Sequence, residues 1–224
     1  MKTSNYITIS FFVFLFGGIF ILFLAAKIDP RGSLHQEFLK QEKALDNFSV
    51  VVAEAGADIR LKSGQTPKMS LNFLKGDSCK FPPFIVRNDT LFVSSFSGKA
   101  KHRTVEVDCK DINTIQGKDT AKIWVEQFHS DTLNVKLNKS DFRYSSNKEN
   151  AKSLLLKVEA NQSKINIWDS NFDEIEILLN QTEMRGNFCG SLSGSLKDHS
   201  NLSAGASNRI NLETDSTSTY RLDK

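Results

Sequence analysis

Residues 156–184 read LKVEANQSKINIWDSNFDEIEILLNQTEM, and this stretch decides the fold because its two halves follow the same pattern. Each half has alternating apolar residues, then Asn-Gln and a hydroxyl residue, and then alternation again. Alternation with a period of two predicts a β-strand that faces a core on one side. Each half is therefore expected to form a strand, a tight bend and a second strand.

The same frame continues on both sides, over residues 131–222. Hydroxyl residues followed two positions later by an apolar residue recur in steps of 23, 19, 18 and 18 residues, at Ser140, Ser163, Thr182, Ser200 and Ser218. The bends are therefore predicted at Asn138, Ser140, Asn161, Ser163, Asn180, Thr182, Asp198 and Ser200. In these bends we expect Asn to take the positive φ angle and the hydroxyl to bond nearby backbone. In the last copies the apolar register before the bend slips by one residue.

One such unit cannot bury its apolar face alone, whereas stacked units bury a continuous core. Strands that repeat every 18 to 23 residues, without a helical pattern, indicate a parallel β-helix. The sequence therefore predicts an all-β, solenoid-like domain over 47–224. An ordinary antiparallel sandwich of short strands is the alternative.

The chain begins with a long apolar segment that carries no charge between Lys2 and Lys27. Its core, 6–26, matches the roughly 20 apolar residues that cross a bilayer. A cleaved signal peptide is the alternative, but its apolar region would be shorter and Leu-Ala-Ala at 24–26 is a poor cleavage site. We therefore expect a tail at 1–5 and an uncleaved transmembrane helix at 6–26.

The charges that flank this segment bear on its orientation. Only Lys2 precedes it, whereas Lys27, Arg31, Lys40 and Lys43 follow, which favours a cytoplasmic carboxyl side. Long domains translocate largely regardless of such charges, and a very short tail before one span is typical of a signal-anchor. The prediction is a single-pass protein of the cytoplasmic membrane with its domain on the outer, periplasmic or extracytoplasmic, side.

A stem is predicted between this segment and the domain, at 27–46. Asp29-Pro30-Arg31-Gly32 ends the first helix, and Ser33 with Gln36 has the spacing of a capping box. The stem could therefore form a short amphipathic helix.

The three cysteines contain no Cys-x-x-Cys pair, which disfavours zinc binding and dithiol redox chemistry. Cys79 and Cys109 both lie in loop-like segments and could form a disulfide outside the cytoplasm, whereas Cys189 is expected to be buried. The four histidines are scattered without metal-ligand spacing. We therefore predict neither a metal site nor a cofactor.

Charge and motifs also limit the function classes. The net charge is only +3, and the basic stretch 98–103 has no interleaved aromatic residues, so nucleic-acid binding gains no support. No nucleophile elbow, phosphate-binding loop or catalytic triad is present, and no catalytic residue is predicted. Trp124 and Trp168 could stack on a sugar or cover the edges of the core.

Three segments carry a family resemblance: Phe48-Ser-Val-Val-Val, Ala57-Asp-Ile-Arg-Leu and Asn88-Asp-Thr-Leu-Phe-Val. Together with the repeated strands and turns, they resemble the putative auto-transporter adhesin, head GIN domain family, over roughly Asp46 to Leu222. The resemblance implies a β-helical cell-envelope domain of Bacteroidetes-like bacteria and supplies no site residues. The apolar segment at the start, and bends of Asn-Lys/Gln-Ser/Thr, depart from the family pattern.

The function expected from these observations is non-catalytic binding or adhesion, with polysaccharide or another envelope protein as the partner. A structural scaffold that self-assembles into homo-oligomers through the solenoid ends is the alternative. A glycan-active enzyme would need a groove with convergent carboxylates, which the sequence does not show.

Overall fold

The computed structural model describes residues 2–28, 38–74, 80–96, 104–126, 131–145, 155–168, 172–187, 190–205 and 209–223. The basic stretch 98–103, Cys79 and Cys189 lie outside these ranges.

One α-helix, α1, spans Lys2–Ile28. Its sequence is rich in Phe, Ile and Leu, and exposed large apolar side chains occupy much of 11–24. Among the described residues, no helix combines the length and the apolar character that crossing a membrane requires.

The rest of the described chain forms nineteen strands. The first nine are β1 (Phe38–Ala44), β2 (Val50–Ala53), β3 (Asp58–Ser63), β4 (Lys68–Leu74), β5 (Phe84–Arg87), β6 (Thr90–Val93), β7 (Val105–Cys109), β8 (Thr114–Lys118) and β9 (Lys122–Glu126). The others are β10 (Thr132–Asn138), β11 (Asp141–Ser145), β12 (Leu155–Asn161), β13 (Lys164–Trp168), β14 (Glu174–Asn180), β15 (Glu183–Gly186), β16 (Ser191–Lys197), β17 (Asn201–Gly205), β18 (Arg209–Thr214) and β19 (Thr219–Asp223).

These strands form two sheets, and successive coils of the chain contribute one strand to each. The ten-stranded sheet has the order β1-β4-β7-β3-β9-β11-β13-β15-β17-β19, and the nine-stranded sheet has the order β18-β16-β14-β12-β10-β8-β2-β6-β5. From β8 to β19 every neighbouring pair is parallel. The predicted all-β parallel solenoid is confirmed, and the antiparallel sandwich is wrong.

The core lies between the two sheets and is built from stacked apolar residues. In the nine-stranded sheet Val135 is paired with Val158, and Val158 with Ile177. In the ten-stranded sheet Phe142 is paired with Ile165, and Ile165 with Met184. All of these side chains are buried. The same alternation places the intervening residues on the two outer faces.

The first coils do not stack in chain order. β2 lies between β6 and β8, and β3 lies between β7 and β9. The coil made of β6 and β7 is therefore added on one side of the first coil, and the chain then returns to the other side. Beyond it, β4 is antiparallel to β7 and β5 is antiparallel to β6, so this coil has an antiparallel neighbour in each sheet.

The predicted helix of the stem is wrong where the structure describes it, because Phe38–Ala44 is strand β1 beside β4. A short isolated helix is marginal in water, whereas the edge of β4 offers ladder hydrogen bonds. Glu42 Oε1 lies 2.6 Å from Lys40 Nζ and 3.2 Å from Lys68 Nζ. These hydrogen bonds, first from Lys40 and then from Lys68, lower the pKa of Glu42 to about 2.

Candidate functional site

The predicted hydroxyl residues form a continuous ladder along one edge of the solenoid, at the bends between the two sheets. Ser140, Ser163, Thr182 and Ser200 are all buried. From Ser163 to Ser218, each hydroxyl accepts a hydrogen bond from the backbone N–H of the equivalent residue on the preceding coil. The donor–acceptor distances are 3.1 Å for Ser140 N to Ser163 Oγ, 3.3 Å for Ser163 N to Thr182 Oγ1, 3.3 Å for Thr182 N to Ser200 Oγ and 3.1 Å for Ser200 N to Ser218 Oγ.

The same hydroxyls also donate within their own bend. Ser140 Oγ donates to the carbonyl of Asn138 at 3.0 Å, and Ser163 Oγ donates to the carbonyl of Asn161 at 2.7 Å. A buried backbone group without a partner costs free energy, and every hydroxyl from Ser163 to Ser200 satisfies one backbone donor and one backbone acceptor. The ladder is therefore a structural element of the bends.

The asparagines of the bends do not take the positive φ angle that the sequence predicted for them. That conformation falls on the next residue, with φ of 53° at Lys139, 48° at Gln162 and 47° at Gln181. The asparagines are instead the last residues of their strands, where Asn161 Nδ2 lies 3.4 Å from Asn138 Oδ1. Their amide side chains form a row on the surface.

The one-residue slip of the apolar register before the fourth bend has a physical cause. Asp198 and His199 both have positive φ, 52° and 65°, so this bend contains one residue more than the bend at Gln181. Lys197, and not Asp198, is therefore the register partner of Asn180. The carboxylate of Asp198 nevertheless accepts a hydrogen bond from the Asn180 side chain.

Asp215 closes the last bend and was not identified from the sequence. Its Oδ2 accepts from the backbone N–H of Asp198 at 2.7 Å, and its Oδ1 accepts from the N–H groups of Thr217 at 3.0 Å and Ser218 at 2.8 Å. These donors, with the Asp198 N–H the strongest, hold the pKa of Asp215 well below its usual range. An Asp followed by Ser and Thr residues is the signal that could have revealed this turn.

An open groove runs over the outer face of the nine-stranded sheet, across several coils. It consists of two adjoining hollows of about 500 and 450 Å³. Both are lined by Lys136, Glu159 and Leu178, from three consecutive strands. The remaining outward lining side chains are mostly polar: Gln116, Lys118, Asn134, Asn138, Lys157, Asn161, Glu176, Asn180, Ser193, Ser195 and Lys197. We call this surface the coil groove.

Four charged side chains of the coil groove are paired across neighbouring strands. Lys136 Nζ lies 3.2 Å from Glu159 Oε2, and Lys157 Nζ lies 2.7 Å from Glu176 Oε2. Leu178 is 58% exposed in the same groove and gives it an apolar centre. Across the described ranges, no group of three His, Cys, Asp or Glu side chains could hold a metal ion.

A second polar site lies on the outer face of the ten-stranded sheet, around Trp124. The Arg60 guanidinium lies 4.4 Å from the ring centroid of Trp124, and that of Arg143 lies 5.6 Å away. These arginines come from the strands on either side of the tryptophan strand. A hollow of about 220 Å³, here called the Trp124 hollow, is lined by Asp58, Thr104, Lys122, Ile123, Trp124, Asp141 and Arg143.

Trp168 lies on the same outer face and is 49% exposed. Its strand, β13, is two strands away from the Trp124 strand in the order β9-β11-β13, and Trp168 does not line the Trp124 hollow. The two tryptophans, for which sugar stacking and covering of the core edges were the alternatives, are therefore not brought into one site.

Cys109 is the last residue of β7 and is buried, so it does not lie in the loop-like segment predicted from the sequence. Its free thiol is 3.4 Å from the carbonyl oxygen of Lys62. Burial, and secondarily the charges of Asp108 and Asp111, raise the pKa of this thiol to about 12. Since Cys79 lies outside the described residues, the disulfide between Cys79 and Cys109 stays a prediction.

Comparison with known proteins supports the fold. No family model and no curated protein matches the chain. A solved structure described as a putative adhesin from Parabacteroides distasonis is similar, with a TM-score of 0.56 and 12% identity over 83% of this chain and 93% of that chain. At this identity the likeness shows the fold alone.

Two further solved structures align over similar lengths. A putative adhesin from Bacteroides fragilis covers 84% of this chain and 98% of its own, with a TM-score of 0.47 and 12% identity. A putative cell adhesion protein from Clostridium sporogenes covers 83% and 99%, with a TM-score of 0.30 and 12% identity. These TM-scores are too low to carry an argument, and membership of the head GIN domain family stays a prediction.

Proposed function

We propose that this protein is a membrane-tethered, non-catalytic adhesion domain of the cell envelope, and that its coil groove binds a polysaccharide chain. The observation that carries the proposal is the groove itself, which is open, mostly polar and continuous across consecutive coils. Membership of the head GIN domain family is part of the proposal. The adhesin description of the Parabacteroides distasonis structure, which shares the fold, agrees with it.

The groove has the chemistry that an extended sugar chain requires. Strands in a sheet lie about 4.8 Å apart, so equivalent side chains recur along the groove at a regular short spacing. Amide and charged side chains can bond sugar hydroxyls, and Leu178 can contact the apolar C–H face of a sugar ring. A peptide that binds by strand addition needs a free sheet edge. The groove lies on a sheet face, and so it favours a polysaccharide over an added strand.

The arrangement of the carboxylates supports a non-catalytic role. Glycoside hydrolysis uses two carboxylates that flank the scissile bond. In the coil groove, Glu159 and Glu176 are instead each in an ion pair with a lysine on the neighbouring strand. This pattern is typical of a solvated sheet face that binds without reacting.

Binding in the groove can be tested by affinity electrophoresis of the full-length protein in gels that contain a neutral polysaccharide, either dextran or mannan. We expect at least one polysaccharide to retard the protein, and Leu178→Asp to abolish that retardation. Ile85→Asp is the matched control, because Ile85 is 57% exposed and lies on the outer face of the same sheet, on its edge strand β5. Equal retardation of both variants, or no retardation by any polymer, contradicts the proposal.

Membrane attachment through α1 is a separate part of the proposal. Support comes from the uncharged sequence between Lys2 and Lys27 and from the exposed Phe, Ile and Leu side chains over 11–24. We propose that the solenoid lies on the outer side of the cytoplasmic membrane. Reporters active only outside or only inside the cytoplasm, fused after Lys224, test this topology. An outside signal supports it, and an inside signal contradicts it.

A second candidate function is assembly through the solenoid end formed by β18 and β19, which are the edge strands of their sheets. Tyr220 and Leu222 follow the core register of Leu202 and Ala204 but are 50% and 41% exposed. The occupant we propose is the same edge of a second copy, related by a two-fold axis. Sedimentation velocity at increasing concentration should show dimers that Leu222→Lys removes, and a wild-type protein that stays monomeric contradicts this function.

A further inference from the structure

Two arginines occupy equivalent outer positions on β11 and β15 but behave differently. Arg185 Nη2 lies 2.5 Å from the carboxylate of Glu183, two residues earlier on the same strand. Arg143 has Asp141 at the corresponding position, yet its guanidinium is placed over the ring of Trp124 instead. Within the described part of the chain, Arg143 is in no ion pair.

Stacking of Arg143 on Trp124 has a chemical consequence. A guanidinium held over the face of an aromatic ring retains its N–H edge for planar, bidentate recognition of a carboxylate. Arg60 is also near this ring, but it is already in ion pairs. Its Nη1 lies 3.8 Å from Glu106 Oε1, and its Nε lies 3.4 Å from Glu126 Oε1. Arg143 is thus the arginine of this cluster that can take an external anion.

The other polar groups of the Trp124 hollow restrict which anion fits. Asp58 and Asp141 are the register partners of Lys122 on its two neighbouring strands, and all three line the hollow. Two carboxylates repel a compact, multiply charged anion such as phosphate, but they accept hydrogen bonds from hydroxyl groups. The best ligand therefore has one carboxylate and several hydroxyls.

We propose that the Trp124 hollow binds one acidic sugar unit, a hexuronate, with its carboxylate on Arg143 and its hydroxyls on Asp58 and Asp141. Arginines from both neighbouring strands lie over the Trp124 ring, so the tryptophan orients Arg143 and does not serve as an open stacking platform. This site lies on the other sheet from the coil groove, and it can exist whether or not the groove binds a polysaccharide.

The experiment uses polygalacturonate as the probe and its fully methyl-esterified form as the uncharged analogue, with affinity electrophoresis of the full-length protein. Arg143→Gln should weaken binding of polygalacturonate by about tenfold or more, because a charge-assisted bidentate contact is lost. Arg185→Gln is the matched control and should leave binding within about twofold of wild type, since this site does not use it. Free galacturonate should compete with the polymer, and galactose should not.

The outcomes separate this site from the coil groove. Binding that survives Leu178→Asp but is lost in Arg143→Gln supports the hollow, whatever happens to neutral polysaccharides. Binding lost in Leu178→Asp and retained in Arg143→Gln places the polymer in the groove and overturns the inference. The inference is also overturned if the methyl-esterified polymer binds as well as polygalacturonate, or if polygalacturonate does not bind at all. Equal loss of polygalacturonate binding in Arg143→Gln and Arg185→Gln overturns it as well. Circular dichroism of each variant confirms that the sheets are intact.

Discussion

Ser163 Oγ accepts a hydrogen bond from the backbone N–H of Ser140 at 3.1 Å, so a single hydroxyl joins the bends of two consecutive coils. The same oxygen donates to the carbonyl of Asn161 at 2.7 Å. Both residues of the ladder are buried. The hydroxyl therefore replaces the water that an exposed turn would use.

The hydroxyl ladder should contribute measurably to stability. Ser163→Ala leaves the Ser140 N–H and the Asn161 carbonyl without this partner in a buried site, which should lower the free energy of unfolding by about 1–3 kcal/mol. Ser163→Thr is the matched control, because the next coil already carries Thr182 in the equivalent position. Urea unfolding followed by circular dichroism measures the difference. An alanine variant as stable as the threonine variant refutes a role for the hydroxyl.

The positive φ angle at Lys139 predicts which residues that position tolerates. A β-branched residue is strained there, so Lys139→Val should lower the free energy of unfolding by about 1 kcal/mol or more. Lys139→Asn should be nearly neutral, because Asn adopts this conformation readily. Thermal unfolding of the two variants provides the comparison. If valine is tolerated as well as asparagine, the bend does not have this conformation in solution.

Gly194 and Gly117 both occupy inward positions in the nine-stranded sheet but should respond differently to alanine. Gly194 has a φ of 134°, and a Cβ there would overlap the carbonyl oxygen of Ile177. At Gly117 a Cβ would meet only side chains, at 3.0 Å from Ile123 and Leu137 and 3.1 Å from Ser140.

Backbone strain and steric overlap together should make Gly194→Ala cost about 3 kcal/mol or more. Gly117→Ala should cost about 1–2 kcal/mol, because flexible side chains can move away. Urea midpoints of the two variants test this order. If Gly117→Ala is instead the more destabilising variant, the backbone of β16 does not approach that of β14 closely at Gly194.

Asp215 should make the stability of the last bend depend on pH. Its pKa is lowered in the folded state, so its contribution is fully present above the unfolded value of about 3.9 and is lost as the pH falls below it. The stability difference between wild type and Asp215→Asn should be constant near neutral pH and shrink in acid. Glu213→Gln is the control for general carboxylate effects. A difference that persists unchanged at about pH 3 argues against these hydrogen bonds, since the carboxylate would then be protonated in the unfolded state.

The middle of the solenoid was predictable because two independent signals coincide there. Between Leu133 and Met184 the apolar alternation and the turn residues agree, and each alone predicts strand–bend–strand units. The first coils were not predictable in the same way. Alternation specifies which face of a strand is buried, but it does not specify which strand is the neighbour. The placement of β2 between β6 and β8 therefore had no signal in the sequence.

The candidate sites depended on that missing information. Arg60, Trp124 and Arg143 are far apart in sequence and meet only because β3, β9 and β11 are consecutive in one sheet. The coil groove likewise requires the register that brings Lys136, Glu159 and Leu178 side by side. The bends were predicted more closely, although the positive φ angle fell one residue after each asparagine.

The most direct test of the account places a bimane fluorophore in the coil groove. Ser195→Cys and Ile85→Cys, each in a Cys79→Ser and Cys189→Ser background, carry the label beside Leu178 in the groove and on the edge strand of the same sheet, and burial protects Cys109 from labelling. Titration with the neutral polysaccharide that retards the wild-type protein should shift the emission at position 195 and leave position 85 unchanged. An unchanged emission at position 195, or equal shifts at both positions, would contradict binding in the groove.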